Sequence, residues 1–434
     1  MPKTVIERRQ FLTGLAVAPL AASCAQPQAS PPQTPASQTA DTWERVRAEF
    51  ALSPQWIHLA GFLLASHPRR VRDAIESHRR ALDDNPALVV EQRGDSGPIL
   101  KPAAAYLGVQ PESIALTDST TMGLALLYHG LPLTAADEVL TTTHDHYSTH
   151  ESLRLATARA GATLRKVPLY ARASEATVEA MAHAIELSLT AATRIVAITW
   201  VHSSTGVKTP VRAIAEVIAR ANTNRPPERR VWLCVDGVHG LGIENTSMPE
   251  LGSDFFVAGT HKWLFGPRGT GIIWGKPELW PSLRPTIPAF GMAPYLAWLQ
   301  GKEPPPTSAE VMTPGGFHSF EHRWALGEAF AFHLELGKAA VEARIHELNR
   351  QCKAGLAAMK HVTLHTPLDA AVSSGIVTFE VAGLPPAEVV KRLHAKHIVA
   401  STTPYAPSYA RLAPGLLNTP AEVDAALREI RALG

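Results

Sequence analysis

An α/β fold with a mainly parallel sheet is the class this sequence predicts, and three observations predict it. Short apolar runs bounded by turn residues alternate with helix-period segments from Val71 to Gly275. Helical segments are stopped by glycine, as at Gly108 and Gly161, before the next strand-like run begins. The polar residues able to do chemistry cluster just after the apolar runs, where open α/β sheets bind ligands.

Taken in order, "VRDAIESHRRAL" (71–82) and "GPILKPAAAYLG" (97–108) read as helices. "SIALTD" (113–118) reads as a strand and "STTMGLALLYHG" (119–130) as the helix after it. "EVLTTT" (138–143), "THESLRLATARAG" (149–161), "TLRKVPL" (163–169), "TVEAMAHAIELSL" (177–189), "TRIVAITWV" (193–201), "VRAIAEVIARAN" (211–222), "RVWLCV" (230–235), "DFFVAG" (254–259) and "GTGIIWG" (269–275) continue the alternation. Such repetition calls for helices on both faces of the sheet. The stretch from Pro281 to Gly316, with "EPPPTS", predicts irregular structure. One long helical pattern, "SFEHRWALGEAFAFHLELGKAAVEARIHELNRQ" (319–351), follows it. "GIVTFEV" (375–381), "AEVVKRLHAKH" (387–397), "IVAST" (398–402) and "PAEVDAALREIRAL" (420–433) then suggest a small α+β unit. The expected organisation is a large domain over 41–316, then a connecting helix and small C-terminal domain over 317–434. No internal repeat is present.

The N-terminus is a different kind of text. "ERRQFLTGLAVAPLAASCAQ" pairs Arg8 with Arg9 ahead of a short apolar stretch, too short to span a bilayer as a helix. It resembles a twin-arginine export signal over residues 1–25, with a chance Arg-Arg pair as the alternative. Periplasmic localisation, reached through the twin-arginine export machinery, is the expectation. "LAASC" is similar to an imperfect lipobox and would allow a lipid anchor on Cys24. Residues 26–40, "QPQASPPQTPASQTA", read as a disordered tether.

Among 434 residues, 41 basic and 39 acidic side chains are scattered rather than run together, which sets nucleic-acid binding aside. The cysteines, Cys24, Cys234 and Cys352, offer neither C-x-x-C nor zinc spacing.

Four places after strands carry the polar residues. Ser119, Thr120 and Thr121 open a helix, so they read either as an ordinary N-cap or as a phosphate site. "HDHYSTH" brings His144, His146 and His150 together, a metal-like cluster without a carboxylate or cysteine partner elsewhere. Asp236 ends the apolar run "RVWLCV", and a carboxylate buried there needs pairing, which a cationic ring nitrogen would supply. Lys262, in "GTHKWLFGPRGTG", either lays its stem on the surface or is desolvated and able to form a Schiff base. A phosphate site, an aromatic or imidazole plate, a carboxylate and a lysine are together what pyridoxal phosphate requires.

Here the chain resembles the class V aminotransferase family of fold-type I pyridoxal-phosphate enzymes, with isopenicillin N epimerase-like proteins among them, from about Trp56 to its end. The resemblance implies that "DGVH" matches the family's "D-x-x-H/Q", pairing Asp236 with the ring nitrogen and His239 with the ring hydroxyl. It makes Lys262 of "THK" the Schiff-base lysine, with Thr260 and His261 near the phosphate. "STT" stands for the phosphate turn "G-T-T" through Thr120 and Thr121, and "DHY" places His146 over the cofactor face. "RLAPGLLNTPAEVD" resembles the C-terminal signature whose arginine, here Arg411, grips a substrate carboxylate. A homodimer is implied too.

Departures from the family pattern carry information. Ser203 in "HSSTG" replaces the asparagine of "N-E-T-G", so a cofactor contact is altered. "FEHRW" replaces "F-x-x-G-T", which removes the threonine that crosses to the neighbouring subunit's phosphate. "STTPYAPSYA" lacks the desulfurase cysteine, which disfavours a persulfide mechanism. The expectation is an exported enzyme acting on the amino group of an amino acid or peptide-type product by transaminase- or epimerase-type chemistry. An enzyme that tailors the glutamate side chain of the siderophore pyoverdine is one instance it resembles. A C–S or other β-lyase is the alternative, and a non-catalytic binding protein the reading from another class. Tyr405, Tyr409, His318 and His322 stand in loops that could reach the substrate.

Overall fold

A computed structural model describes residues 40–93 and 96–434. The signal segment 1–25 with Cys24, and the tether except its last residue, lie outside the described residues. The N-terminal part supplies α1 (Ala40–Ala48), β1 (Ile57–His58), α2 (Arg69–Asp84), α3 (Pro86–Gln92) and α4 (Gly97–Leu107). Pro86 starts α3 where its missing N–H costs nothing.

Seven strands form the large sheet: β2 (Ile114–Thr117), β3 (Glu138–Thr142), β4 (Thr163–Val167), β5 (Thr193–Thr199), β6 (Trp232–Asp236), β7 (Phe255–Gly259) and β8 (Gly271–Gly275). Their order is β2-β8-β7-β6-β5-β3-β4. The pairs from β4 through β3, β5 and β6 to β7 are parallel, and β8 runs antiparallel to β7 and β2. α5 (Thr120–Gly130), α6 (Tyr147–Ala160), α7 (Val178–Ser188), α8 (Val211–Asn222) and the short α9 (Met248–Leu251) lie between the strands in sequence.

Alternate strand residues feed opposite cores. Val196, Ile198, Leu233, Val235, Phe256 and Ala258 pack into one cluster, while Ile195, Ala197, Cys234, Phe255 and Val257 pack into the other. Both faces are buried, which is why these strands read as continuous apolar runs rather than as alternating ones.

The chain leaves β3 toward β4 and leaves β5 toward β6, in opposite directions across the sheet. A crevice opens at such a reversal, beyond the carboxyl ends of the strands. Thr199 and Asp236, the last residues of β5 and β6, are in register there with Val257, and β7 runs on to Gly259.

Two expectations after β8 need correction. The region expected to be irregular contains α10 (Met292–Leu299) and α11 (Ala309–Met312); the prolines around these short helices hid them. The expected single helix is two, α12 (Phe320–Leu336) and α13 (Lys338–Ala357), divided at Gly337. Gly337 takes φ 81°, a conformation that glycine adopts without strain. Apolar periodicity runs on across it, so the pattern alone shows no break.

β9 (Val362–Leu364), β10 (Val377–Val381), α14 (Pro386–His394), β11 (Ile398–Val399), β12 (Ser401–Thr402), β13 (Ala410–Leu412) and α15 (Pro420–Arg431) complete the chain. A four-stranded antiparallel sheet runs β12-β13-β10-β9. Within "IVAST", β11 pairs with β1 and β12 pairs with β13. A separate core joins Trp43, Phe50 and Phe62 of the N-terminal part to Trp263 and Phe265, just beyond Lys262, and to Val341 and Ile345 of α13. That core brings Phe62 to the end of the large sheet.

Candidate active site

A cavity of about 290 Å³ opens at the sheet reversal, and Asp236, His239, Lys262, His146, Ser203 and Arg411 line it together. Thr120, Thr121 and His261 line it as well. Residues spread from β2 to β13 thus converge because the parallel strands share one carboxyl edge and the small domain brings Arg411 of β13 to it.

Lys262 lies three residues past β7, and its Nζ is 3.2 Å from His239 Nε2. Burial pushes its pKa down to about 8; Arg411 adds to the effect and Asp236 opposes it. Asp236 is the last residue of β6. Burial raises its carboxyl to about 6, the like charge of Asp145 pushes the same way, and the Val238 amide, Lys262 and Thr149 pull it back. Among the described residues its side-chain oxygens accept two long bonds, from the Val238 amide at 3.2 Å and the Thr149 hydroxyl at 3.3 Å.

His239 is buried between Phe62 and Trp263, whose indole donates to its Nδ1 at 3.2 Å. Burial, then the positive charges of Lys262 and Arg411, hold it neutral by lowering its pKa. His146 caps α6 and accepts the Ser148 amide on Nδ1 at 3.2 Å, leaving Nε2 to carry the proton. Burial and Lys262 lower its pKa as well.

Arg411 sits on β13 with its guanidinium carbon 4.4 Å from the Phe62 ring centre. It donates to Ser203 O at 2.6 Å, Thr402 O at 3.2 Å and Ser401 Oγ at 3.1 Å. Three of five N–H groups are thereby used, which leaves one on each terminal nitrogen for a carboxylate. Burial lowers its pKa to about 10, so it stays charged at neutral pH. Ser203 Oγ is 2.7 Å from Tyr405 OH, and this bond brings Tyr405 to the cavity wall.

At the other end of the cavity, Ser119 caps α5 through the Met122 amide. The first-turn amides of Thr120 and Thr121 have no acceptor within their own helix. Gly259 lets strand and helix meet there: a Cβ at this position would lie 3.0 Å from Thr120 Oγ1 and 3.1 Å from His261 Cε1. His261 Nδ1 is buried without a partner.

Several anticipated residues lie elsewhere. Thr260 does not line the cavity; its hydroxyl is held by Thr270 in the turn after β7, at 3.1 Å from the carbonyl oxygen. His144 reaches the cavity wall but accepts the Leu169 amide and stacks on Tyr170 at 3.9 Å, while His150 Nε2 bonds Thr142 O. The three histidines of "HDHYSTH" thus have separate partners. His318 and His322 bond the carbonyls of Gly316 and Arg268, and Tyr409 stacks on His365.

Sequence reasoning missed Phe62, Trp263 and Asp145. Asp145 accepts from Thr141 Oγ1 and from the amides of Thr142 and Thr199, tying the β3 loop to β5. The aspartate between the two histidines was a visible signal for it. Phe62 had none, because its role comes from folding distant chain onto Arg411.

The donor set fits pyridoxal phosphate. Asp236, under-bonded and buried, suits a ring-nitrogen cation. The free amides of α5 and the unpartnered His261 Nδ1 suit a phosphate, and the desolvated Lys262 suits an aldehyde.

The family model described as Aminotransferase class-V matches residues 101–410, more than half of the chain. Isopenicillin N epimerase of Streptomyces clavuligerus is 26% identical over 364 residues, covering 79% of this chain and 85% of that protein. A cysteine desulfurase of Yersinia pestis is 25% identical over 363 residues, covering 78% and 82%. Among solved structures, a lysine-to-alanine mutant of C-DES, with glycine covalently linked to the PLP cofactor, gives a TM-score of 0.79 at 20% identity over 89% of this chain and 99% of that one. The apo cysteine desulfurase of Thermococcus onnurineus gives 0.76 at 19% identity over 90% and 97%.

Proposed function

Given that this chain belongs to the aminotransferase class-V family of pyridoxal-phosphate enzymes, we propose that it works on the amino group of an amino acid, or of the amino-acid end of a larger product, by transaminase- or epimerase-type chemistry. The observation that carries this reading is Arg411, charged and holding two unspent N–H groups in the same cavity as Lys262. A free carboxylate on the substrate is the natural partner for that fork.

Bound pyridoxal phosphate supplies an aldehyde for amine capture and a ring that accepts the electron pair released at the substrate α-carbon. Lys262 would hold the aldehyde, Asp236 would keep a proton on the ring nitrogen, and Thr120, Thr121 and His261 would hold the phosphate. Lys262 with a pKa near 8 then serves as a base that takes the α-proton and as an acid that gives it back. His146 supplies a flat wall against which the ring can lie.

The desulfurase names among the relatives do not carry over. Cys234 and Cys352 are buried in cores away from the cavity, and Tyr405 stands in the loop before Arg411. Among the described residues no thiol is placed to take sulfur. Similarity to an epimerase over most of both chains agrees with proton return to the α-carbon.

The proposal includes export by the twin-arginine route to the periplasm, assembly as a homodimer, and siderophore tailoring as a specific substrate setting. Replacing Arg8 and Arg9 by lysine should keep the protein in the cytoplasm, as read by cell fractionation.

The first experiment is the visible spectrum of the purified protein before and after borohydride, with a mass map of the product. Cofactor fixed on Lys262 supports the reading; protein that takes up no pyridoxal phosphate when supplied with it overturns it. Incubation with amino acids in D₂O then sorts the chemistry. α-Deuteration with inversion indicates epimerisation, and a keto acid with an aminated cofactor indicates transamination. Release of a β-substituent with ammonia indicates the lyase.

A further inference from the structure

The residue after the lysine has a placement that the family comparison does not explain. Trp263 is buried in the core beside Phe62, and its Nε1 lies 3.2 Å from His239 Nδ1. An indole nitrogen can only donate, so Nδ1 of His239 must be unprotonated. Burial keeps the ring neutral, hence the single imidazole proton resides on Nε2. That nitrogen faces Lys262 Nζ at 3.2 Å. An N–H directed at Nζ is a hydrogen bond only when Nζ carries a lone pair, that is, when Lys262 is the free amine.

We propose that Trp263 is a positioning residue that locks His239 in its Nε2–H tautomer, so that His239 acts as an obligate donor and holds Lys262 as the free, nucleophilic amine. The inference rests on the proposed function for the aldehyde that Lys262 captures, and on the indole contact and the burial of His239 for the tautomer. The indole is fixed from several sides. It lies 6.3 Å from Phe62 at 23°, and Gly375 and Gly415 pass close enough that a Cβ on either would approach it within 2.9 and 3.2 Å. Phe62 in turn carries Arg411.

The charged groups around the pair act in both directions. Arg411 from β13, His146 from the start of α6 and His261 from the same turn all disfavour a second proton on His239. Asp236 from β6 alone favours charge on Lys262, and Arg411 opposes it. With the indole N–H gone, His239 is free to move its proton to Nδ1 and turn an acceptor toward Lys262. The ammonium form then gains a hydrogen bond, and the lysine pKa rises.

When Lys262 captures pyridoxal phosphate, the amine nitrogen forms a C=N bond to the aldehyde carbon and the aldehyde oxygen leaves as water. Borohydride adds hydride to that bond and fixes the product for mass analysis.

The test uses full-chain protein freed of cofactor. Nitrogen-15 NMR of labelled histidine reads the His239 tautomer, and the pH dependence of pyridoxal-phosphate capture, trapped by borohydride, reads the Lys262 pKa. Trp263→Phe should abolish the Nε2–H signature and move the inflection up by about one unit, a loss of about tenfold in capture rate below it. His239→Leu removes both ring nitrogens and can neither donate nor accept. Adding Trp263→Phe to it should therefore leave the inflection where His239→Leu alone puts it.

The proposal is overturned if Trp263→Phe leaves tautomer and inflection unchanged. It is also overturned if the same upward shift appears in the His239→Leu background, which would show packing rather than a proton position. Failure of the wild-type protein to capture the cofactor at Lys262 would instead refute the proposed function, and the NMR result would still decide the tautomer.

Discussion

Asp145 and Asp236 are carboxylates at the same end of the same sheet, each 2% exposed, and they are in opposite condition. Asp145 accepts three bonds at 2.7–2.8 Å, two of them from backbone amides. Asp236 accepts two at 3.2 and 3.3 Å and has its pKa raised to about 6. Both have been taken out of water at similar cost, but only Asp145 is compensated by the protein. Asp236 is left for a cation that the fold does not supply. Thus the cavity is recognised less by which polar groups it buries than by which of them the chain leaves unsatisfied.

The largest effect should come from removing the group proposed to capture the cofactor. Lys262→Ala deletes the proposed site of attachment and the proposed α-proton base together. Turnover should fall at least about 10³-fold, with no cofactor adduct found by mass at position 262. Retention of more than a tenth of the activity would show that another group carries the proton.

Asparagine at each aspartate tests the comparison directly. Asp236→Asn cannot keep the ring nitrogen protonated, so turnover should drop about 10²-fold or more, yet the cofactor-free protein should become more stable at pH 7. Asp145→Asn sets its NH₂ against a buried backbone N–H, and should cost about 1–3 kcal/mol of stability. Equal loss of stability in both variants, by denaturant melts, would refute the distinction.

The pH dependence of stability has a definite sign. Asp236 has its pKa raised from 3.8 to about 6, so between those values the folded state binds more protons than the unfolded. Stability of the cofactor-free protein therefore falls as pH rises from about 4 to 6, through this group. Lys262 is lowered from 10.5 to about 8, so the unfolded state binds more protons in that window and stability rises from about 8 to 10.5. The two leave cofactor-free protein least favoured between about pH 6 and 8. In Asp236→Asn the fall on the acid side should shrink by about 1–3 kcal/mol, measured as unfolding free energy against pH.

Much of this was legible in the sequence. Asp236 and Lys262 follow apolar strands, and the rule that ligands bind at strand ends finds them without a structure. Thr260 was expected near the phosphate because it adjoins His261 and Lys262 in "THK". Its own hydroxyl is captured by Thr270 across the turn, a contact that depends on how β7 returns into β8. Phe62 and Trp263 were invisible for a related reason: their roles rest on contacts between the N-terminal part, the turn after β7 and β13, which no local pattern encodes. The break at Gly337 was hidden because helical periodicity continues on either side of it.

The smallest effect should come from Tyr405, which tests whether a group satisfied by the protein can nonetheless be catalytic. Its hydroxyl lies at the cavity wall but is already bonded to Ser203 Oγ at 2.7 Å, and burial raises its pKa to about 12. A phenol in that state is a poor base near neutral pH and has a partner within the protein, as Asp145 does. Tyr405→Phe removes one hydrogen bond worth about 1 kcal/mol, so kcat/KM should fall only about fivefold. The change should appear mostly in KM, because Ser203 also holds Arg411 through its carbonyl. A fall of about 10²-fold or more in kcat, with the pH profile altered, would place Tyr405 among the proton-transferring groups. It would then stand beside Lys262 as a second acid for an epimerase, and satisfaction within the protein would no longer separate structural from catalytic groups in this cavity.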